Sequence, residues 1–262
     1  MNTMQSALIR KDIRGITANK QLLIAMISVP VALTVVMPSI FIMLLHFMPN
    51  DLRDFEAMLR MLPTEVQPDN MKTAIISLLL NNIMPVFFII IPIMAASIMA
   101  ASSFVGEKEK RTLETLLYCP LSLKQIFRAK ILSSFIMSEL VSILSFIIMT
   151  LVTQIEIFLT TGSLLLPNIS WLVVLLLLSP AVSLISITLI VRGSAKAQTM
   201  EESQQRSALL VLPVIFLVAG QFTGIILINI WILLGLGTLL AAIAWILMNG
   251  SFQKISYESM LR

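Results

Sequence analysis

Residues 78–105 read LLLNNIMPVFFIIIPIMAASIMAASSFV, and residues 106–130, which follow directly, read GEKEKRTLETLLYCPLSLKQIFRAK. The first stretch carries no charged side chain and the second is crowded with them. A helix rises about 1.5 Å per residue and a bilayer's hydrocarbon core is roughly 30 Å thick, so about 20 apolar residues cross it. The first stretch is therefore a membrane-spanning helix, and the second is the loop that leaves the membrane behind it.

The whole chain agrees with that reading. Of its 262 residues 58% are hydrophobic and only 12% are charged, and the mean hydropathy is +0.96. Soluble domains carry about 25% charged residues to wet their surface, so a soluble globular fold is excluded. Long polar tracts and a glycine repeat are missing, which removes disorder and collagen, and a single cysteine, Cys119, cannot close an internal disulfide. The expected class is all-α: one polytopic transmembrane domain over 1–262.

Six stretches are long and apolar enough to span, at about 22–45, 78–105, 131–155, 169–191, 209–228 and 230–248. The last two are separated by little more than Asn229, so they form either a tight hairpin or one span broken near Gly224. With both termini cytoplasmic, fifteen Lys and Arg fall on the inner side, against Arg53, Arg60 and Lys72 outside. Short cytoplasmic loops are enriched in basic residues, which fixes the expected orientation. The first span is too long for the core of a signal peptide and lacks a small-residue cleavage site, so it should remain as an anchor.

Before that span, residues 4–21 place Leu8, Ile9, Ile13 and Ile16 near one helical stripe flanked by Arg10, Lys11, Arg14 and Lys20. This pattern predicts a basic amphipathic helix in the membrane interface, acting as a topology anchor or a partner contact. Prolines at 30, 38, 85, 92, 180 and 213 should kink their spans. Small residues recur every four positions at Ser134, Ser138 and Ser142, at Gly220 and Gly224, and at Ala96 and Ala100, marking close helix contacts. In the external segment 46–72, Leu52, Phe55, Leu59 and Leu62 predict a short surface helix, capped by Asn50 or Asp51 and stopped by Pro63.

The 106–130 loop is the one that carries organised chemistry. Glu107, Lys108, Glu109, Lys110 and Arg111 alternate in sign, and Leu113, Leu116 and Leu117 make an apolar i, i+3, i+4 stripe. That predicts a short charged helix on the cytoplasmic surface, ended by Pro120. Ser122 and Gln125 then form a capping box, with Leu121 and Ile126 as its hydrophobic staple, so a second helix starts at Leu123 and runs into the third span.

The run GEKEKRTLETLLYCPLS followed by Lys130 resembles the segment after the second span in permease subunits of the type-2 ABC exporter family. The matching positions are Glu107, Glu109, Thr112, Glu114, Leu116, Leu117, Pro120 and Lys130. Where the family usually has glycine before the threonine and before the lysine, this chain has Arg111 and Ala129. Ala197 and Gln198, followed by Leu209, Leu210 and Pro213, resemble the family more weakly.

The resemblance implies a plasma-membrane permease of a prokaryote. Two permease chains, identical or related, would form the pathway among membrane lipids and work with cytoplasmic ABC ATPase subunits. Leu113, Leu116 and Leu117 would fill a groove on the ATPase, and Glu107, Glu109, Arg111 and Glu114 would set register, with Thr112 capping the second half of the helix and Pro120 ending it. The pattern G-x-x-x-x-G-K-[ST] occurs nowhere in the chain, so ATP and Mg would belong to the partner and this chain is not expected to be an enzyme. No nucleic-acid partner is expected. The transported substrate, whether ion, peptide, drug or lipid, stays open.

Outside the loop, Glu139 is the one ionisable residue well inside a span. Intramembrane carboxylates are costly, so it is either a pathway or subunit-interface residue or a satisfied structural acid. Asn81, Asn82, Gln154, Gln221 and Asn229 cluster near the outer span ends, where interfacial roles fit best. The sole histidine, His46, permits no histidine-based zinc cluster. Two rival readings remain: an autonomous secondary transporter or channel using Glu139, and a membrane scaffold that moves nothing.

Overall fold

The computed structural model describes residues 3–47, 71–112, 121–162, 164–194, 197–222 and 229–253. Those residues are helical throughout apart from short connections, and no strand occurs among them. Six helices are long and apolar enough to cross a membrane: Lys20–Leu45, Lys72–Glu109, Leu123–Thr161, Ser170–Gly193, Met200–Gln221 and Ile230–Gly250. These are spans one to six below. The expected external helix within 46–72 lies outside the described residues.

Spans two and three overrun their expected limits at both ends, 72–109 against 78–105 and 123–161 against 131–155. Span three holds 39 residues, roughly 58 Å of helix, which is close to twice a hydrocarbon core. Its first turns, Leu123 to Lys130, therefore stand on the basic face, as the capping box anticipated. Span two continues four residues past Val105 to Glu109.

Proline shapes three spans in the same way. A wide, π-helical turn covers Ala32–Val36, Leu79–Ile83 and Val174–Leu178, in each case ending two residues before a proline, at Pro38, Pro85 and Pro180. The proline ring would collide with the carbonyl four residues back and offers it no N–H; widening the turn swings that carbonyl clear. In the five-residue register Leu80 would look to residue 85 for a donor. Because that residue is Pro85, the indole N–H of Trp171 serves instead, donating to the Leu80 carbonyl at 3.0 Å. Pro92 and Pro213 are accommodated by short breaks, at Ile89 and at residues 209–210.

Span two is the central helix. Its residues Ile83, Ile91, Ala96, Met99 and Ala100 are wholly buried, and it packs on spans three, four and the start of five. Phe88, Phe146 and Trp171 join spans two, three and four through ring centroids 5.2 to 6.4 Å apart. Ser134, Ser138 and Ser142 are fully buried as their spacing suggested, and Ser138 donates to Ser183 of span four at 2.7 Å. Gly237 of span six lets that helix approach the wide turn of span four, where an added Cβ would meet Leu177 at 2.6 Å.

Spans five and six run antiparallel, as a hairpin. Gln221 at the end of span five donates to the Asn82 carbonyl, far from the basic loop. At the end of span six the Leu247 carbonyl accepts from Arg192, beside Gly250 and at the basic end. The N-terminal helix Thr3–Ala18 also lies at the basic end. It meets span one at Asn19, whose side chain accepts from the N–H groups of Gln21 and Leu22. The apolar stripe expected to rest on a membrane surface is covered by protein: Leu8 and Ile9 pack with Leu121, Ile126 and Ala129 at the start of span three. Once span three projects beyond the hydrocarbon, it offers that stripe an apolar wall.

Candidate functional site: the basic end of spans two and three

Span two ends in a tightly specified turn. The N–H of Thr112 donates to the Glu107 carbonyl at 2.9 Å, and that of Arg111 to the Lys108 carbonyl at 3.1 Å. These are the 6→1 and 5→2 bonds of a Schellman cap, whose last helical-side residue must turn left-handed. That residue is Arg111, at φ 55°. The family's usual glycine at this position thus has a physical reason, and arginine holds the same turn at a cost of about 1 kcal/mol. The hydroxyl of Thr112 also donates to the Glu107 carbonyl, at 3.3 Å. So the expected charged helix does not start within 107–111: Glu107 and Glu109 are the final turn of span two, and Thr112 closes it. Leu113, Glu114, Leu116, Leu117 and Pro120 lie outside the described residues.

On the other side of that segment the capping box is present. Ser122 Oγ accepts from the Gln125 N–H at 3.4 Å, and Gln125 Oε1 accepts from the Ser122 N–H at 2.9 Å. Leu121 and Ile126 share one small apolar cluster, as a staple requires. Backbone caps thus close the described helix ends on either side of residues 113–120.

The two helix ends are joined by a buried polar cluster. Lys130 of span three is 1% exposed. Its ammonium lies 3.0 Å from Glu107 Oε2, an ion pair whose angle falls outside hydrogen-bond geometry. The same ammonium donates to the Ser103 carbonyl and stands 5.6 Å over the Phe104 ring. Glu107 Oε1 accepts from Lys11 of the N-terminal helix at 2.8 Å. Next to Lys11, Asp12 accepts from Ser103 at 2.8 Å and from Ser133 at 3.3 Å. Two carboxylates and two ammonium groups from three helices thus balance one another: Glu107 and Lys130 are buried, Asp12 is half-buried and Lys11 is exposed, and the pairing makes the buried charges tolerable out of water.

Glu109 faces the other way. Its carboxylate accepts the N–H of Met200 at 3.2 Å, at the start of span five, where a helix N-terminus favours negative charge. Gly106, one turn earlier, leaves room for the Met200 sulfur, 3.0 Å from where a Cβ would stand. Deeper in the bundle, Ser207 donates to Ser97 at 2.6 Å, and Ser97 lies 2.8 Å from Ser186, tying spans two, four and five.

Glu139 sits well away from this end. Its two carboxylate oxygens accept from Ser179 at 2.9 Å and from Ser183 at 2.8 Å, both on span four. At the far end Gln154 exchanges hydrogen bonds with the backbone of Leu165, and Asn81 accepts from the Asn168 N–H at 2.9 Å. The outer polar residues therefore fasten the connections between spans.

Residues 24–200, well over half of the chain, match the family described as ABC-2 family transporter protein. The chain belongs to that family. No curated protein and no solved structure matches it. The ABC-2 match takes in spans one to four and the whole 106–130 loop, and stops at Met200, the residue that Glu109 caps. It identifies a multi-pass membrane permease of ABC transport. Sequence reasoning on this ABC-2 chain named Glu107 and Glu109 but expected both on the surface, and missed Lys11 as a partner of Glu107 and Asp12 and Ser103 as members of the same cluster. Asp12 did leave a signal: it is the one acid in the first fifty residues, set among basic ones.

Proposed function

We propose that the chain is the membrane half of an ATP-driven exporter, working as a dimer and coupled through residues 113–120 to a separate cytoplasmic ATPase. The observation that carries this is the ABC-2 match over spans one to four and the loop between spans two and three. The geometry supports it: a Schellman cap and a capping box hold the two ends of a segment that carries Leu113, Glu114, Leu116 and Leu117. A stripe of that kind fills a groove on a partner, and charges at its rim set register. The basic end is then the cytoplasmic face, which places the N-terminal helix and the last turn of span six inside the cell. ATP and Mg bind the ATPase. The lipid bilayer of a prokaryotic plasma membrane and a second permease chain complete the assembly.

The test is to purify the full chain from its native membrane in mild detergent and identify what accompanies it. An ABC ATPase in the preparation, released by Glu114→Lys while that variant stays inserted, is the expected result. Stable insertion without any ATPase, or wild-type export by Glu114→Lys, would refute the assignment. Ion-gradient-driven flux without an ATPase would favour an autonomous transporter built on Glu139.

A further inference from the structure

We propose that Lys130 is a positioning residue that pins the axial register of span three against span two, and so sets the height at which residues 113–120 meet the ATPase. The proposal rests on the functional reading above and adds the device that holds the docking segment in place.

The segment is flanked by the ends of spans two and three, and the cap at each end is local to its own helix. What fixes one end relative to the other is the side chain of Lys130. Starting on span three, eight residues after the capping Ser122, it reaches across to three consecutive features of span two: the Ser103 carbonyl, the Phe104 ring and the Glu107 carboxylate. The surrounding contacts, made by Phe104, Phe127, Ala100, Ala101 and Ile131, reward close packing but carry no charge that a one-turn shift would strand.

A buried charge does choose a register. Moving span three by one turn, roughly 5.4 Å, would take the Lys130 ammonium from its carboxylate in a site where it is 1% exposed, and leave Glu107 with Lys11 alone. Fixing register is the best-attested use of buried ionic groups. Glu107 is shared with Lys11, and Asp12 with Ser103 and Ser133, so the N-terminal helix rides on the same pin.

Cys119, the only cysteine of the chain, lies within the segment and is a native probe of docking. The experiment uses the full chain in lipid nanodiscs with its co-purified ATPase, and measures the maleimide-labelling rate of Cys119 with and without the ATPase, together with the affinity between the two. In the wild type, docking should slow labelling at least tenfold. Lys130→Met should insert yet lose most of that protection, with affinity falling about tenfold, and Lys130→Arg, which keeps the charge, should recover at least half of the loss. If Lys130→Met does not insert, Glu107→Gln carries the test, with a loss of about fivefold expected.

Protection and affinity within twofold of wild type in whichever variant inserts overturn the pin, even where its thermal stability is lower. A wild-type chain that holds no ATPase overturns the functional reading and the pin with it. One that holds an ATPase, while the Lys130 variant docks as tightly, overturns the pin alone.

Discussion

Among the described residues Glu107 is buried and Glu139 half-buried, and the two carboxylates are kept by different means. Glu107, at the basic end, is answered by two ammonium groups, Lys11 at 2.8 Å and Lys130 at 3.0 Å. Glu139, midway along span three, is answered among the described residues by the hydroxyls of Ser179 and Ser183. Removing Lys130 from the first leaves the buried Glu107 with one exposed counter-ion, Lys11, and removing Glu107 strands the charge of the buried Lys130. Removing the carboxylate from the second leaves hydroxyls that can turn back to their own helix, as Ser142, Ser145 and Thr153 do here, donating four residues back. The first arrangement therefore discriminates sharply among positions of the helices, and the second holds spans three and four together more tolerantly.

The largest effect should come from Lys130→Met. Breaking a buried pair typically costs 3–5 kcal/mol, and with Lys11 still beside Glu107 a destabilisation of about 3 kcal/mol is expected, read as a lower unfolding temperature in detergent. Adding Glu107→Gln should recover at least half of it, since the buried carboxylate left with Lys11 alone is gone. If the double variant is worse than the single one, the two residues are not acting as a pair.

Glu139→Ala should be milder, about 1–2 kcal/mol, the scale of lost hydrogen bonds without an orphaned charge. Glu139→Gln should fall below about 1 kcal/mol and keep wild-type export. A loss as large as that of Lys130→Met would erase the contrast between the two sites. Loss of export by a stable Glu139→Gln protein would move Glu139 from a structural acid to the pathway.

The smallest effect has the opposite sign. Arg111→Gly should stabilise by roughly 0.5–1 kcal/mol, because glycine enters the left-handed conformation without the steric penalty that arginine bears there. A calorimetric rise in melting temperature would show that the cap, and not the charge of Arg111, is what the position serves. A fall would mean that the guanidinium makes contacts worth more than the backbone strain.

Much of the architecture was legible in the chain. Six apolar runs, the capping box at Ser122 and Gln125, the amphipathic stripe of Leu8, Ile9 and Ile16, and the buried serine repeat in span three all follow from periodicities of a single helix. The limits of span two were not legible, because Glu107, Lys108 and Glu109 read as solvated charge when their partners are out of view. The stripe of the N-terminal helix was assigned to a membrane surface for the same reason. Its apolar wall is supplied by Leu121, Ile126 and Ala129, more than a hundred residues away.

The sequence by itself thus determined that this is a membrane protein, how many times it crosses, which end is basic and which loop carries the densest organised charge, since each of these depends on local hydropathy and on charges counted along the chain. Tertiary structure decided which charges are spent inside the molecule, that spans five and six form a hairpin, and that Lys130 joins the two helices flanking the loop. Those outcomes depend on which side chains meet across helices, and a charge declares its role only when the group that neutralises it is in place.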